Sequence, residues 1–207
     1  FGIEQVYFTV DLTDNVSLMA GTFLAPIGWE VIDAVDMYQF SHAMVFNFGL
    51  PAFHTGLLVS VEAGIFDAVF YATNGIDTYF EVDSPKAAGT RIGLSPTDEL
   101  NIGLSYLYSH KDVMIADLDA TYEGESVLIG AEFNLGVDDA SGDLWHGALL
   151  MANFGLTDDM AATVRVDYFD DSVGADRVGG GDNTYVNFTV SPSYSFTDNA
   201  GMLIEYT

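Results

Sequence analysis

Two adjacent pairs, Ser41-His42 and Ser109-His110, are the first places to look for a nucleophile and its base. Adjacency says little, because a catalytic triad is recognised by geometry rather than by neighbouring positions. His42, His54, His110 and His146 show no i,i+4 pair and no HExxH spacing, so no zinc site is read from them. Cysteine is absent, which removes disulfides, thiolate metal sites and cysteine nucleophiles. There is no Gly-rich phosphate loop and no nucleophile elbow. Asp138, Asp139 and Asp143 form one acidic loop; Asp170, Asp171, Asp176 and Asp182 form another beside the glycines at 179–181. Hard cations bind oxygen-rich loops, but neither has the alternating spacing with a distal Glu that a calcium loop needs. Both read as solvated loops. The expectation is a non-enzyme with no catalytic residues, no metal site and no cofactor.

What remains is charge. Five Lys+Arg stand against 31 Asp+Glu, a formal charge of −26, which argues against nucleic acid as a partner. Such acidity usually marks disorder or a solubilising surface. Here it coexists with 49% hydrophobic and 14% aromatic residues. An ordinary soluble protein must fit its apolar residues inside, so the two facts conflict. A barrel resolves the conflict by showing apolar side chains to lipid and acidic ones to water. No run approaches the roughly 20 apolar residues of a spanning helix.

The elements that would position these charges are strands. Val6, Phe8, Val10 and Leu12 alternate with Gln5, Tyr7, Thr9 and Asp11, a period of two that gives one apolar and one polar face. Similar segments are read at 2–12, 16–24, 53–63, 68–73, 88–94, 100–109, 113–122, 126–136, 145–156, 161–169, 184–196 and 201–206. That makes about twelve strands, most near the length a tilted membrane strand needs. No sustained helical period appears. Tyr7, Phe8, Tyr71, Tyr106, Tyr108, Tyr168, Phe169, Tyr194, Phe196 and Tyr206 near strand ends are candidates for interfacial girdles, although aromatics are enriched in strands generally.

Connection lengths alternate. Short turns are read at 13–15, 64–67, 96–99, 123–125, 157–159 and 197–199, four of them containing Thr-Asp. Longer connections fall between them at 25–52, 74–87, 110–112, 137–144 and 170–183. A transmembrane barrel has short periplasmic turns on one rim and longer extracellular loops on the other. An all-β sandwich or solenoid is the competing architecture, but its turns need not alternate in length. The fold expected is an all-β, antiparallel transmembrane β-barrel filling a single domain, 1–207. With short turns inside, both chain ends fall on the outer side, whereas barrels with an even strand count normally keep both ends on the periplasmic side. The intact barrel is therefore expected to have about 14 strands or more. The sequence opens inside a strand pattern at Phe1, so it is expected to be processed or truncated.

Residues 20–33, AGTFLAPIGWEVID, followed by His54-Thr55-Gly56, the strand–TDx–strand units and YFDD at 168–171, resemble the OmpL-like β-barrel porin family of Gram-negative bacteria. The resemblance covers nearly the whole chain as patterned similarity. It implies location in the bacterial outer membrane, contact with outer-membrane lipid, and a porin function with no catalytic residues. It also allows a homo-oligomer, though no interface is legible.

On the polar strand faces, Arg91 and Arg165 share the expected interior with Glu62, Glu132, Asp167 and Glu205. Opposed charges in a pore shape the field that solutes cross. With acids in excess, a modest cation preference follows as an expectation. The connection 25–52 is too long to lack a role. Ile32, Val35 and Met37 need burial, so it is expected to fold into the barrel as a constriction with Glu30, Asp33 and Asp36 facing the solute path. The function expected is passive diffusion of small hydrophilic solutes or ions. A structural, adhesion or complex-forming barrel with an occupied or plugged lumen is the second expectation.

Overall fold

Among the described residues, twelve antiparallel strands pair in chain order into one sheet, each bonded to its sequence neighbours. The structure is a computed structural model that describes residues 5–33, 36–80, 86–110 and 112–207. The strands are β1 Val6–Thr13, β2 Val16–Leu24, β3 Phe53–Ala63, β4 Phe66–Thr73, β5 Ala87–Thr97 and β6 Leu100–Ser109. They continue as β7 Val113–Glu123, β8 Val127–Asp138, β9 Leu144–Gly155, β10 Met160–Val173, β11 Thr184–Thr197 and β12 Ala200–Leu203. An isolated bridge between Val190 and Tyr206 carries the β11 pairing beyond β12. Among the described residues β1 pairs only with β2, and β12 only with β11. The first three residues of the expected 2–12 strand, with residue 1, 34–35, 81–85 and 111, lie outside the described residues.

Strand parity sorts the side chains. Outward go Phe66, Phe70, Ile92, Leu104, Leu118, Phe133, Leu150, Val166, Val186 and Phe188, all exposed. This much contiguous exposed apolar surface belongs against lipid, not water. Tyr122, Tyr194 and Phe196 lie outward near the short turns, with Tyr194 and Phe196 in edge contact at 5.3 Å. Tyr168 lies tilted against His146, 5.5 Å away between ring centroids, toward the long loops. The girdle expectation is corrected for Tyr71 and Phe169, which are buried and belong to the interior cluster.

That cluster joins Phe23, Leu58, Tyr71, Leu107, Ile115, Trp145 and Phe169 from the inner wall to Leu50, Phe48 and Met44 of the connection between β2 and β3. Ile76, Ala175 and Val178, from two other long connections, pack against it. The core of this protein therefore lies between the sheet and the segments folded against its concave side. A short π-helical turn, Val45–Gly49, was not legible as a period in the sequence. It packs across β8, β9 and β10. The loop at 174–183 also folds back. Asp171, wholly buried, accepts hydrogen bonds from the Val178 amide at 3.0 Å and the Asn183 amide at 3.2 Å. One of the expected solvated acidic loops is thus anchored through a buried carboxylate.

Candidate functional site

The connection at 25–52 runs down the inner wall from the long-loop rim and climbs back row by row. Its lowest anchor is Trp29, whose Nε1 donates to Thr121 Oγ1 at 2.7 Å and whose amide donates to Glu132 Oε2 at 3.0 Å. The indole lies so close over Gly130 that a Cβ there would sit 2.0 Å from it. Only a residue without a side chain fits under that ring.

Arg165 is the centre of the next level. Its Nη1 donates to Glu30 Oε1 at 3.0 Å and to the Ser41 carbonyl at 2.6 Å, Nη2 to Ser41 Oγ at 3.3 Å, and Nε to Asp167 Oδ1 at 3.0 Å. A planar guanidinium supplies this many donors in fixed directions, which a lysine cannot. The Arg165 side chain is 1% exposed, and those of Glu30 and Asp167 are 5% and 0% exposed. Glu30 also accepts from the Ala43 amide at 2.8 Å, and Asp167 accepts from the Met44 amide at 3.3 Å and from Asn187 Nδ2 at 3.0 Å. Burial is the largest influence on the Glu30 carboxyl and lifts its pKa above the ordinary 4.5, against the pull of the Ala43 amide and Arg165.

Above this, Asn134 Nδ2 donates to the Val45 carbonyl at 3.4 Å, and Trp145 Nε1 donates to the Gly49 carbonyl at 3.3 Å. Arg177 closes the long-loop rim. Its guanidinium stacks 4.4 Å from the Trp145 ring centroid, and its Nε donates to the Phe48 carbonyl at 2.8 Å. From Trp145 to Met151, opposite Gly130, the anchors span six residues of β9, about 20 Å at roughly 3.3 Å per residue.

The charges singled out from the sequence fall into four groups. Arg165, Asp167, Glu132 and Glu30 are brought together beneath the folded-in connection. Glu205 joins them from beyond β12, accepting from the Phe40 amide at 2.8 Å and the Ser41 amide at 3.1 Å. Arg91 lies inward and half-buried on β5, and its Nη2 meets Asp119 Oδ1 at 2.7 Å. Glu62 stands apart on β3 near the short turns, beside the half-buried Asp67 opposite it on β4. Asp33 and Asp36 are exposed on the free flank of the connection, where the Asp36 amide donates to the Asp33 carbonyl at 3.0 Å. Asp117, Asp119 and Asn134 were not singled out from the sequence as site residues, although all three sit on the inward parity of β7 and β8.

A family described as "Putative beta-barrel porin-2, OmpL-like" matches residues 1–207. The chain belongs to this family. It is accordingly an outer-membrane porin-type barrel, located in the bacterial outer membrane among lipid. Among solved structures it is similar to outer-membrane expressed OmpT of Vibrio cholerae, with a TM-score of 0.72 and 13% identity over 98% of this chain and 68% of that one. It is similar to OccK5 (OpdH) of Pseudomonas aeruginosa, with a TM-score of 0.62 and 10% identity over 93% of this chain and 59% of that one. OprD of Pseudomonas aeruginosa matches with a TM-score of 0.54 and 13% identity, over 92% of this chain and 54% of that one. At such identities the likeness shows the fold alone, and this chain spans little more than half the length of the last two. No curated protein matches it in sequence.

Proposed function

We propose that this family member forms the wall and constriction of a passive, cation-preferring pore for small hydrophilic solutes and ions. The observation that carries the reading is the connection at 25–52, held against the inner wall through Arg165. It fills the concave side along β6–β11, with Asp36 bordering a cavity shared with Thr121, Leu128 and Met151, and leaves the short-turn end of β1–β4 open. There the inner wall presents Thr9, Asp11, Ser17, Ser60, Glu62 and Asp67, none of them fully buried. Cavities of about 500 Å³ and 450 Å³ at the short-turn rim are lined by Asp11, Ser17 and Glu62 and by Glu62 and Asp67. Acids outnumber bases along this route, beside which the half-buried Arg91 lies, and this favours cations over anions.

The test uses the full-length protein in planar bilayers. Deleting residues 31–38 should raise single-channel conductance, and reversal potentials in a salt gradient should show cation preference. Clear anion preference, or unchanged conductance after the deletion, refutes the proposal. The second reading, a plugged structural or complex-forming barrel, draws on the apolar layer of Phe48, Leu50, Ile76 and Val178 near the long-loop rim. Absence of conductance in both the wild type and the deletion variant would favour it.

A further inference from the structure

Buried polar atoms without a hydrogen-bond partner are few in folded proteins, and each calls for an explanation. Ten such side-chain atoms occur among the described residues, and six of them, all oxygens, lie on one patch of inner wall. They are Ser105 Oγ, both Asp117 carboxylate oxygens, Asp119 Oδ2, Glu132 Oε1 and Asn134 Oδ1. Strand pairing explains their convergence. Ser105 lies opposite Asp117, and Asp117 opposite Asn134; one row nearer the short turns, Asp119 lies opposite Glu132. Each of these residues is at most 3% exposed.

The groups around the patch are already engaged. Arg91 takes the other oxygen of Asp119 at 2.7 Å, and Arg165 is committed to Glu30, Ser41 and Asp167. The Trp29 amide satisfies Glu132 Oε2 at 3.0 Å, and Asn134 Nδ2 donates to the Val45 carbonyl at 3.4 Å, which leaves Asn134 Oδ1 free. The Asp117 and Glu132 carboxyls lie within reach of each other, and the Gly28 backbone approaches Asp117, at geometry short of formed hydrogen bonds, with Glu30 of the folded-in connection nearby. Two buried carboxylates side by side need a proton, a cationic partner or a metal ion.

The donor set selects among these. No three His, Cys, Asp or Glu side chains among the described residues group closely enough to hold a metal ion unaided. Here two carboxylates are joined by a carboxamide oxygen and a hydroxyl, with no nitrogen or sulfur. A shell of mixed charged and neutral oxygens completed by water is what calcium takes, whereas zinc and copper favour nitrogen and sulfur. Two negative charges also match one divalent ion. We propose that Asp117, Glu132, Asn134 and Ser105 form a calcium-class cation site beneath the connection at 25–52. Filling it balances the carboxylates and keeps Glu132 in place to hold the Trp29 amide, so the bound ion stiffens the lowest anchor of the connection.

The experiment reads binding rather than conduction, so it stands whether or not the pore proposal holds. Full-length protein in detergent micelles is stripped with a chelator and titrated with calcium chloride by calorimetry, and its melting is followed in parallel. One saturable site and a melting temperature raised by several degrees are expected. Both should vanish in D117N and in E132Q and persist in D138N, which alters only an acidic loop. If a variant does not fold, the calcium dependence of wild-type melting decides. Melting indifferent to calcium but sensitive to pH would show a shared proton instead, and overturns the proposal. A calcium shift that survives the paired change D117N/E132Q would place binding elsewhere, and also overturns it.

Discussion

Replacing Arg165 by Met tests whether the connection at 25–52 is held by charge. The substitution keeps a long apolar stem and deletes four hydrogen bonds at 2.6–3.3 Å, three of them to the connection. It also strands Glu30 and Asp167, buried carboxylates that lose the guanidinium paired with them. Removing one partner of a buried ion pair costs about 3–5 kcal/mol. The connection can avoid much of that by detaching and returning Glu30 to water. At about 1.4 kcal/mol per tenfold, the detached population should rise between about a hundredfold and three-thousandfold. The contacts that remain include the neutral bonds of Trp29 to Thr121 and Gly49 to Trp145, about 1 kcal/mol each, and charge-assisted bonds through Glu132, Glu205 and Arg177, so the release should begin at Glu30 rather than run the length of the connection.

In planar bilayers, R165M in the full-length protein should show larger and noisier single-channel currents. Limited proteolysis should cut near Val31 and Phe40, already exposed in the anchored state, at least tenfold faster. R165K keeps the charge without the fork and should fall between R165M and wild type. Adding E30Q and D167N to R165M removes the stranded charges and should recover part of the anchoring, which a double-mutant cycle would quantify. If R165M matches wild type in conductance, noise and cleavage rate, the connection is held by its apolar contacts and the charge argument is wrong.

Three further outcomes follow from the same geometry. G130V places side-chain atoms where Trp29 lies, 2.0 Å from the Cβ position, so it should expel the indole and cost about 1–3 kcal/mol. Red-shifted Trp29 emission in a W145F background checks this, and unshifted emission refutes it. Burial raises the Glu30 pKa, so the anchored state binds its proton more tightly than the detached state does; the contribution of Glu30 to anchoring is fullest below pH 4.5 and weakens as pH rises through the raised value. Wild-type conductance should therefore increase over that window and E30Q should flatten the increase; superimposable pH profiles would contradict it. R177A removes the stack on Trp145 and the bond to the Phe48 carbonyl, so amide exchange should quicken at 174–183 and 45–49 but not in β8 or β9. Unchanged exchange in both segments would mean that the apolar packing of Val178 and Phe48 suffices.

Strands with strict alternation were legible almost to the residue. The segment read at 100–109 is β6, and 126–136 differs from β8 by one residue at its start and two at its end. The end of β10 was not legible. Asp170, Asp171 and Ser172 look like loop residues, yet the strand runs to Val173. Asp171 serves there as an internal cap for the returning loop, and Asp170 bonds the Ser172 amide at 2.9 Å and Thr184 Oγ1 at 2.9 Å. The inward insertion of 25–52 was suggested by its apolar residues, but its partners were not. Arg165 lies 135 positions from Glu30, and nothing local encodes that distance. The oxygen cluster was hidden for the same reason. Each of β6, β7 and β8 contributes one or two donors, and no single segment carries a metal-binding spacing.

The charge balance of the middle level connects the pore reading with the cation site. Among the described residues, Glu30, Asp117, Asp119, Glu132, Asp167 and Glu205 share Arg91 and Arg165 as the buried or half-buried arginines there. If all six carboxylates are ionised, four negative charges remain uncompensated in a low-dielectric lining. A divalent ion at Asp117 and Glu132 would reduce that to two, weakening the attraction for permeating cations while strengthening the anchor at Trp29. Calcium should then act in two ways at once, lowering both cation preference and current noise. R165M adds one uncompensated charge and releases the anchor, so it should move both properties in the opposite direction. A pore whose selectivity and noise respond independently to calcium and to R165M would show that the charged level and the folded-in connection are not one unit.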